Sequence, residues 1–147
     1  MNDKSVSLED RIEILDLVSE YAFAFDEDRI PDFVKLFLDD AELSFYTATS
    51  KEPISAAYSN TERLVELQET RSGPFNEAGQ PRHIQTNTIL KYISADRVSG
   101  RTIVVCTQQP YDGSESKTLF TGVYEDEFQR SPNGWKFAIR RGCLDIP

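Results

Sequence analysis

Four strand-like segments follow one another in the second half of the chain, and they constrain its fold more than any other feature. They cover roughly residues 82–94, 99–109, 117–129 and 135–144. Short connections rich in turn residues separate them: Ala95-Asp96, Pro110-Tyr-Asp-Gly113 and Ser131-Pro-Asn-Gly134. Such connections are typical of β-hairpins. The spacing therefore predicts an antiparallel meander.

The first half of the chain carries helical patterns. Ser7 precedes the first helix, with Asp10 as a weak capping-box residue. The apolar stripe of that helix is predicted to comprise Ile12, Leu15, Val18, Ala22 and Phe25. We further expect a short helix with Pro31 in its first turn and with Phe33, Val34, Leu36 and Phe37 along it. A strand over 41–47, a helix over 61–69, and loops over 48–58 and 72–81 are also predicted. Helices followed by a meander predict an α+β fold, with helices packed on one face of a curved sheet and a conical cavity at one end.

Composition limits the classes of partner. The 147 residues suit one domain with a substantial core. The net charge of −9 makes nucleic acid and anionic membranes poor partners. The chain shows no secretory signal pattern and no stretch near the roughly 20 apolar residues of a membrane span. Cys106 and Cys143 form no CxxC pair, so we expect two reduced cysteines in a cytoplasmic protein.

Asp26 is the first candidate for chemistry. Val18, Ala22 and Asp26 recur every four residues, so Asp26 faces inward where the first helix ends. An inward carboxylate is costly unless another group uses it. His83 is the only histidine and begins a strand-like segment. An aspartate that accepts a hydrogen bond from one imidazole nitrogen fixes the tautomer and leaves the other nitrogen free to take a proton. The chemical hypothesis is an Asp26–His83 general base.

The residues alone leave other interpretations open. A lone histidine at the start of a strand is more often a structural residue, and Asp26 could be solvated together with Glu27 and Asp28. A metal site is not indicated, because there is no second histidine. Strand parity nominates further inward residues, and it places Arg140 and Arg141 on opposite faces without saying which is inside. In the strand-like segment over residues 82–94, one face is predicted to comprise His83, Gln85, Asn87 and Ile89.

Several stretches resemble the SnoaL-like branch of the nuclear transport factor 2-like superfamily. They are residues 11–26, 33–40, 82–87, 122–130 and 134–141, and together they extend over nearly the whole chain. The resemblance implies one cone-shaped α+β barrel domain over residues 1–147, which dimerises through its open sheet face. It says less about activity, because this superfamily hosts many functions on one fold.

Within that branch the layout resembles scytalone dehydratase and hexachlorocyclohexane dehydrochlorinase. Both are cofactor-free lyases in which an aspartate after the first helix orients a histidine from the sheet, and Asp26 and His83 match those two positions. The resemblance implies elimination or isomerisation of a small apolar or polycyclic substrate, with His83 as base and no cofactor. The expected substrate-binding residues are Tyr21, Phe25, Phe45, Tyr46, Asn87, Cys106, Gln108, Phe120, Tyr124 and Arg140.

The chain departs from both enzymes. Phe25 stands where scytalone dehydratase has a tyrosine. The dehydrochlorinases receive the leaving halide with cationic side chains, but the first helix here has no lysine near Asp26; Arg140 or Arg141 could contribute.

The alternative function is a non-catalytic binding or assembly module, such as a β subunit of a ring-hydroxylating dioxygenase. A closed pocket beside an Asp26–His83 contact favours the enzyme, and a filled cone favours the module.

Overall fold

The helical start and the predicted meander are both present. The computed structural model describes residues 5–58, 65–66 and 77–147. Its elements are α1 (Leu8–Asp26), α2 (Ile30–Val34), β1 (Phe37–Tyr46), β2 (Ser55–Tyr58), β3 (Gly79–Ser94), β4 (Arg97–Pro110), β5 (Lys117–Ser131) and β6 (Gly134–Leu144). The four predicted hairpin strands are confirmed as β3 to β6. None of the described helices is long and apolar enough to cross a lipid bilayer.

One sheet contains all six described strands, in the order β2-β1-β6-β5-β4-β3. β1 and β6 run parallel, and the other neighbouring strands are antiparallel. α1 packs against the sheet, mainly on β3 and β6. The predicted α+β fold, with helices on one face of a mostly antiparallel sheet, is therefore confirmed. The face that α1 covers is called the inner face below, and the opposite one the outer face.

Four predicted boundaries are wrong. The expected loop over 48–58 contains β2, because Ser55 lies within hydrogen-bonding reach of the edge of β1 and pairs with Phe45 there. The expected loop over 72–81 already contains the start of β3 at Gly79. The short helix has Pro31 in its first turn, as predicted, but it ends at Val34, because the strand predicted from Ala41 already begins at Phe37. The helix predicted over 61–69 lies outside the described residues, apart from residues 65–66, which are helical.

The buried side of α1 is rotated relative to the predicted stripe. Ser7 caps the helix as expected: its Oγ accepts a hydrogen bond from the backbone N–H of Asp10 at 3.1 Å. Ile12, however, is 52% exposed, so the prediction is wrong at that position. Val18, Ala22 and Phe25 are buried as predicted, and Ile14, Leu17 and Tyr21 complete the buried stripe. Asp26 lies on the same side and is buried, as predicted.

Asp10 ties the start of α1 to the sheet. Its carboxylate accepts hydrogen bonds from the indole N–H of Trp135 at 3.0 Å, from the guanidinium of Arg130 at 3.0 and 3.1 Å, and from the hydroxyl of Tyr92. Burial raises the pKa of Asp10, but these hydrogen bonds outweigh it and hold the pKa well below its usual range. The helix is thereby fixed to β3, β5 and β6 at one end.

Candidate active site

Asp26 and His83 form the buried pair that the sequence predicts. Nδ1 of the imidazole lies 2.6 Å from Oδ1 of Asp26, and the backbone N–H of His83 donates to Oδ2 at 2.8 Å. The two side chains are only 4% and 3% exposed. An ionised carboxylate can only accept, so Nδ1 donates the shared proton, and in the neutral imidazole Nε2 then keeps a lone pair. No described residue forms a hydrogen bond with Nε2.

The position of β3 explains why this pair forms. β3 lies at the edge of the sheet formed by the described strands, so alternate backbone N–H groups point away from β4 and have no partner in another described strand. The N–H of His83 is one of these, and Asp26 at the last turn of α1 accepts it. The side chain of Gln80 adds a second link by donating to the backbone oxygen of Asp26 at 2.8 Å. The helix end and the strand edge therefore satisfy each other's unpaired groups.

Apolar and weakly polar side chains surround the imidazole. The ring of Phe25 lies 4.7 Å from it and the ring of Phe120 lies 5.8 Å from it, both edge-on. Cys106 is opposite His83 on β4, and its Sγ lies 3.9 Å from Nδ1. Cys106 and Cys143 are not joined by a disulfide in the described part of the chain. A base in such surroundings is kept away from bulk water.

A second buried polar cluster lies next to this pair. The guanidinium of Arg140 donates to Asp126 through Nε at 3.0 Å and through Nη2 at 3.2 Å, and Nη2 also donates to Gln85 at 2.8 Å. Gln85 in turn donates to the backbone oxygen of Val18 in α1 at 2.9 Å. Nη1 of Arg140 is buried and has no hydrogen-bond partner among the described residues. An unmet buried donor costs roughly 1–3 kcal/mol, and more where the group is charged.

Aromatic rings enclose this guanidinium. The Cζ atom of Arg140 lies 3.7 Å from the ring centre of Tyr124, 4.1 Å from that of Tyr21 and 4.6 Å from that of Phe137. Such contacts stabilise a cation away from water. Arg140 is completely buried, and Arg141 lies on the outer face with Glu42. The structure thus decides which of the two arginines is inside.

Asp126 is a buried carboxylate of this cluster that the sequence analysis did not identify. It is opposite Arg140 in the β5–β6 register and buried among aromatic residues. Burial raises its pKa to about 6, even though Arg140 acts to lower it. The alternation of a strand could have revealed it, because Tyr124, Asp126 and Phe128 are two residues apart and lie on the same face of β5. A carboxylate at an otherwise aromatic, inward position indicates a buried cation nearby.

The other predicted substrate-binding residues divide between the two faces. Phe45, Gln108 and Phe120 are buried on the inner side. Tyr46 follows Phe45 directly in β1 and therefore lies on the outer face, on the side of Glu42 and away from His83.

Asn87 lies outside the inner cluster because β3 contains a bulge. Thr86 pairs with Ile103 and Ile89 pairs with Arg101, so two residues of β3 oppose one of β4. Asn87 occupies the bulge with a φ of 58°, and its side chain is exposed. The extra residue reverses the parity of the strand. Ile89 is consequently 59% exposed on the outer face, and Leu90 is buried.

Metal binding finds no support among the described residues, which contain no group of three or more histidine, cysteine or carboxylate side chains placed to hold an ion. The site contains a buried imidazole, a carboxylate hydrogen-bonded to it and a buried guanidinium.

Comparisons with known proteins agree with this layout. The SnoaL-like domain family matches residues 6–141. A gamma-hexachlorocyclohexane dehydrochlorinase of Sphingobium indicum is 31% identical over 139 residues, which are 94% of this chain and 82% of the relative. The crystal structure of hexachlorocyclohexane dehydrochlorinase LinA-type3 from Novosphingobium barchaimii LL02 has a TM-score of 0.74 at 27% identity, covering 95% of this chain and 88% of the other.

A third similar structure shows the fold alone. It is assigned as the β subunit of an aromatic-ring-hydroxylating dioxygenase from Novosphingobium aromaticivorans DSM 12444. It has a TM-score of 0.74 at 22% identity, and the match covers 92% of this chain and 88% of the other. The same architecture thus occurs in chains of different function.

Proposed function

Since the chain belongs to the SnoaL-like domain family, we propose that it is a cofactor-independent lyase or isomerase that acts on a small apolar cyclic molecule. In this proposal His83 is the general base and Asp26 is the residue that orients it. The observation that carries the proposal is the buried contact of 2.6 Å between Nδ1 of His83 and Oδ1 of Asp26. The similarity to a dehydrochlorinase at 31% identity supports the lyase class.

The proposed chemistry begins with a proton. Nε2 of His83 removes a hydrogen from carbon, and Asp26 stabilises the imidazolium that results. Loss of a leaving group from the neighbouring carbon gives an elimination, whereas return of the proton to a different carbon gives an isomerisation. Phe25 and Phe120 flank the imidazole, which supports an apolar ring as the part of the substrate next to the base.

A panel of hydroxylated, polycyclic and halogenated ring compounds tests this function. Loss of water or halide, or a shifted double bond, is expected with the native protein and is expected to disappear in His83→Ala. Thr86→Ala on the same strand is a matched control, since the side chain of Thr86 is exposed and lies outside the inner cluster. Turnover that persists in His83→Ala would sink the proposal.

A second candidate function is the non-catalytic binding or assembly module. The observation that favours it is the packing of the inner face, where Phe33, Phe128 and Phe137 are completely buried in one apolar cluster. The two candidates differ in one measurement: the module binds ring compounds or a partner chain without converting any member of the panel.

We also propose that two copies of the chain associate through the outer face of the sheet. Large apolar side chains are exposed there on β3 and β4: Ile84 is 51% exposed, Ile89 59% and Ile103 40%. Burying such a patch against a second copy is favourable in proportion to its apolar area.

A further inference from the structure

We propose that Gln80 is a positioning residue for the base: it acts through Asp26 to keep His83 in the orientation and tautomer that proton transfer requires. This role rests on the proposed function of His83 as general base. The contact that carries it is made with the backbone of Asp26, on the far side of that residue from the imidazole.

The last turn of α1 leaves one backbone oxygen for Gln80. In any α-helix the final four carbonyl groups have no partner within the helix. Here the backbone oxygens of residues 23–25 accept N–H groups from residues 27–29. The fourth oxygen, that of Asp26, accepts a hydrogen bond from Nε2 of Gln80 at 2.8 Å. The residue that carries the orienting carboxylate is therefore tied to β3 through its main chain as well.

The end of α1 depends on such an anchor. Asp28 has a φ of 56°, in the left-handed region, which is unfavourable for a residue with a side chain. Asp26 is the last residue of the helix, and helix ends open more readily than helix centres. Both contacts between the carboxylate and His83 depend on where that last residue lies. Gln80 thus limits the movement of the group that orients the base.

Gln80 is itself held by the sheet. Its NH₂ group also donates to the backbone oxygen of Pro81 at 3.0 Å, so both N–H bonds of the amide are used. Pro81 restricts the residue before it to an extended backbone, and Gln80 pairs with Gln109 of β4. Gly79 approaches β4 so closely that a Cβ there would collide with the backbone oxygen of Gln109. The anchor therefore belongs to a fixed end of β3.

Gln80→Met tests the inference, because methionine has a similar length and donates no hydrogen bond. Gln109→Met is the matched control: that side chain also donates to two backbone oxygens, but they belong to Pro110 and Ser114, at the β4–β5 connection. A misplacement of about 1 Å can lower a rate by about 10²-fold. For any ring compound of the panel that the native protein converts, we expect kcat to fall by roughly 10–10²-fold in Gln80→Met and KM to change by less than about twofold. Gln109→Met should keep the native kcat.

Nitrogen-15 NMR of the single imidazole separates positioning from a merely structural role. We expect the share of the Nε2–H tautomer to rise in Gln80→Met, because the carboxylate that selects the Nδ1–H form is less well placed. A merely structural glutamine would lower the unfolding temperature and leave the imidazole spectrum unchanged. Gln80→Met is also combined with Asp26→Asn. If Gln80 acts through Asp26, the second change causes no further loss of kcat in that background.

The possible results separate this role from the proposed function. An unchanged imidazole spectrum in Gln80→Met overturns the positioning role, and the proposed function stands if the native protein converts a member of the panel. Equal losses of kcat from Gln80→Met in the native and Asp26→Asn backgrounds overturn the route through Asp26. Turnover that persists in His83→Ala overturns the proposed base. If the native protein converts no member of the panel while the tautomer shifts in Gln80→Met, the proposed function is overturned and the coupling of Gln80 to the imidazole is supported.

Discussion

Asp26 holds His83 at two points, through the ring Nδ1 at 2.6 Å and through the backbone N–H at 2.8 Å. The first contact selects the tautomer, and the second fixes the strand that carries the ring. One carboxylate thus controls both the protonation pattern and the position of the imidazole.

The Asp26→Asn variant tests this control directly. Both the ring Nδ1–H and the backbone N–H of His83 need an acceptor, but an asparagine side chain offers one oxygen and one NH₂ group. The NH₂ group would therefore face one of these donors, and the Nδ1–H tautomer loses its advantage. We expect turnover to fall by roughly 10²–10⁴-fold. His83 is the only histidine, so nitrogen-15 NMR of the imidazole reports its tautomer without ambiguity. Asp28→Asn, at an exposed neighbouring position, is the control. An unchanged imidazole spectrum in Asp26→Asn would contradict the orienting role.

The ion pair of Asp126 and Arg140 predicts a pH-dependent stability. Burial raises the pKa of Asp126 to about 6 from 3.8. Between these two pH values the carboxyl of Asp126 binds a proton in the folded state but not in the unfolded state. Protonation of Asp126 therefore contributes fully to the free energy of unfolding below pH 3.8, and this contribution is lost as the pH rises through about 6. Its upper limit is about 3 kcal/mol. We expect the free energy of unfolding of the native protein, relative to that of Asp126→Asn, to decrease between pH 4 and pH 6. Parallel pH profiles for the two proteins would contradict the raised pKa.

The contribution of Asp10 to stability depends on pH in the opposite direction. Its pKa is lowered in the folded state, so its contribution is present above the ordinary carboxyl range and is lost as the pH falls below it. We expect Asp10→Asn to reduce the free energy of unfolding by about 2–3 kcal/mol at pH 7, because charged hydrogen bonds to Trp135 and Arg130 are lost. Chemical denaturation at pH 7 and pH 3 measures the difference. Asp96→Asn removes only the exposed partner of Arg130 and is expected to change stability by less than about 1 kcal/mol.

The sequence predicts those features of the structure that depend on residues close together along the chain, and it does not predict those that depend on pairing between distant strands. The hairpins and the inward position of Asp26 depend on neighbours within a few residues, and both are found as predicted. The bulge at Asn87 is a single extra residue that a period of two cannot reveal, and it moves Asn87 and Ile89 out of the inner cluster. The pairing of Asp126 with Arg140 depends on the register between β5 and β6, which neither strand specifies alone.

The proposed association through the outer face predicts the effect of a charge placed there. Ile103→Lys introduces a cation into the exposed patch on β4, where burial against a second copy would leave it unpaired. We expect the native protein to have twice the mass of one chain in multi-angle light scattering, and the variant to have the mass of one. Ile12→Lys changes an isoleucine of similar exposure on α1 and should leave the mass unaltered. A native protein with the mass of a single chain would contradict this interface.

The place of β6 in the sheet governs the order in which the chain can fold during synthesis. β6 is the last of the six described strands in sequence order, yet it lies between β1 and β5. Until residues 134–144 leave the ribosome, β1 and β2 have no hydrogen-bonded connection to the β3–β5 meander within the described part of the sheet. The buried partner of Asp126 also arrives only with this strand. Contacts so distant in sequence make folding slow. A nascent chain that stalls before β6 consequently exposes two unjoined sheet edges, where chaperones bind and aggregation begins.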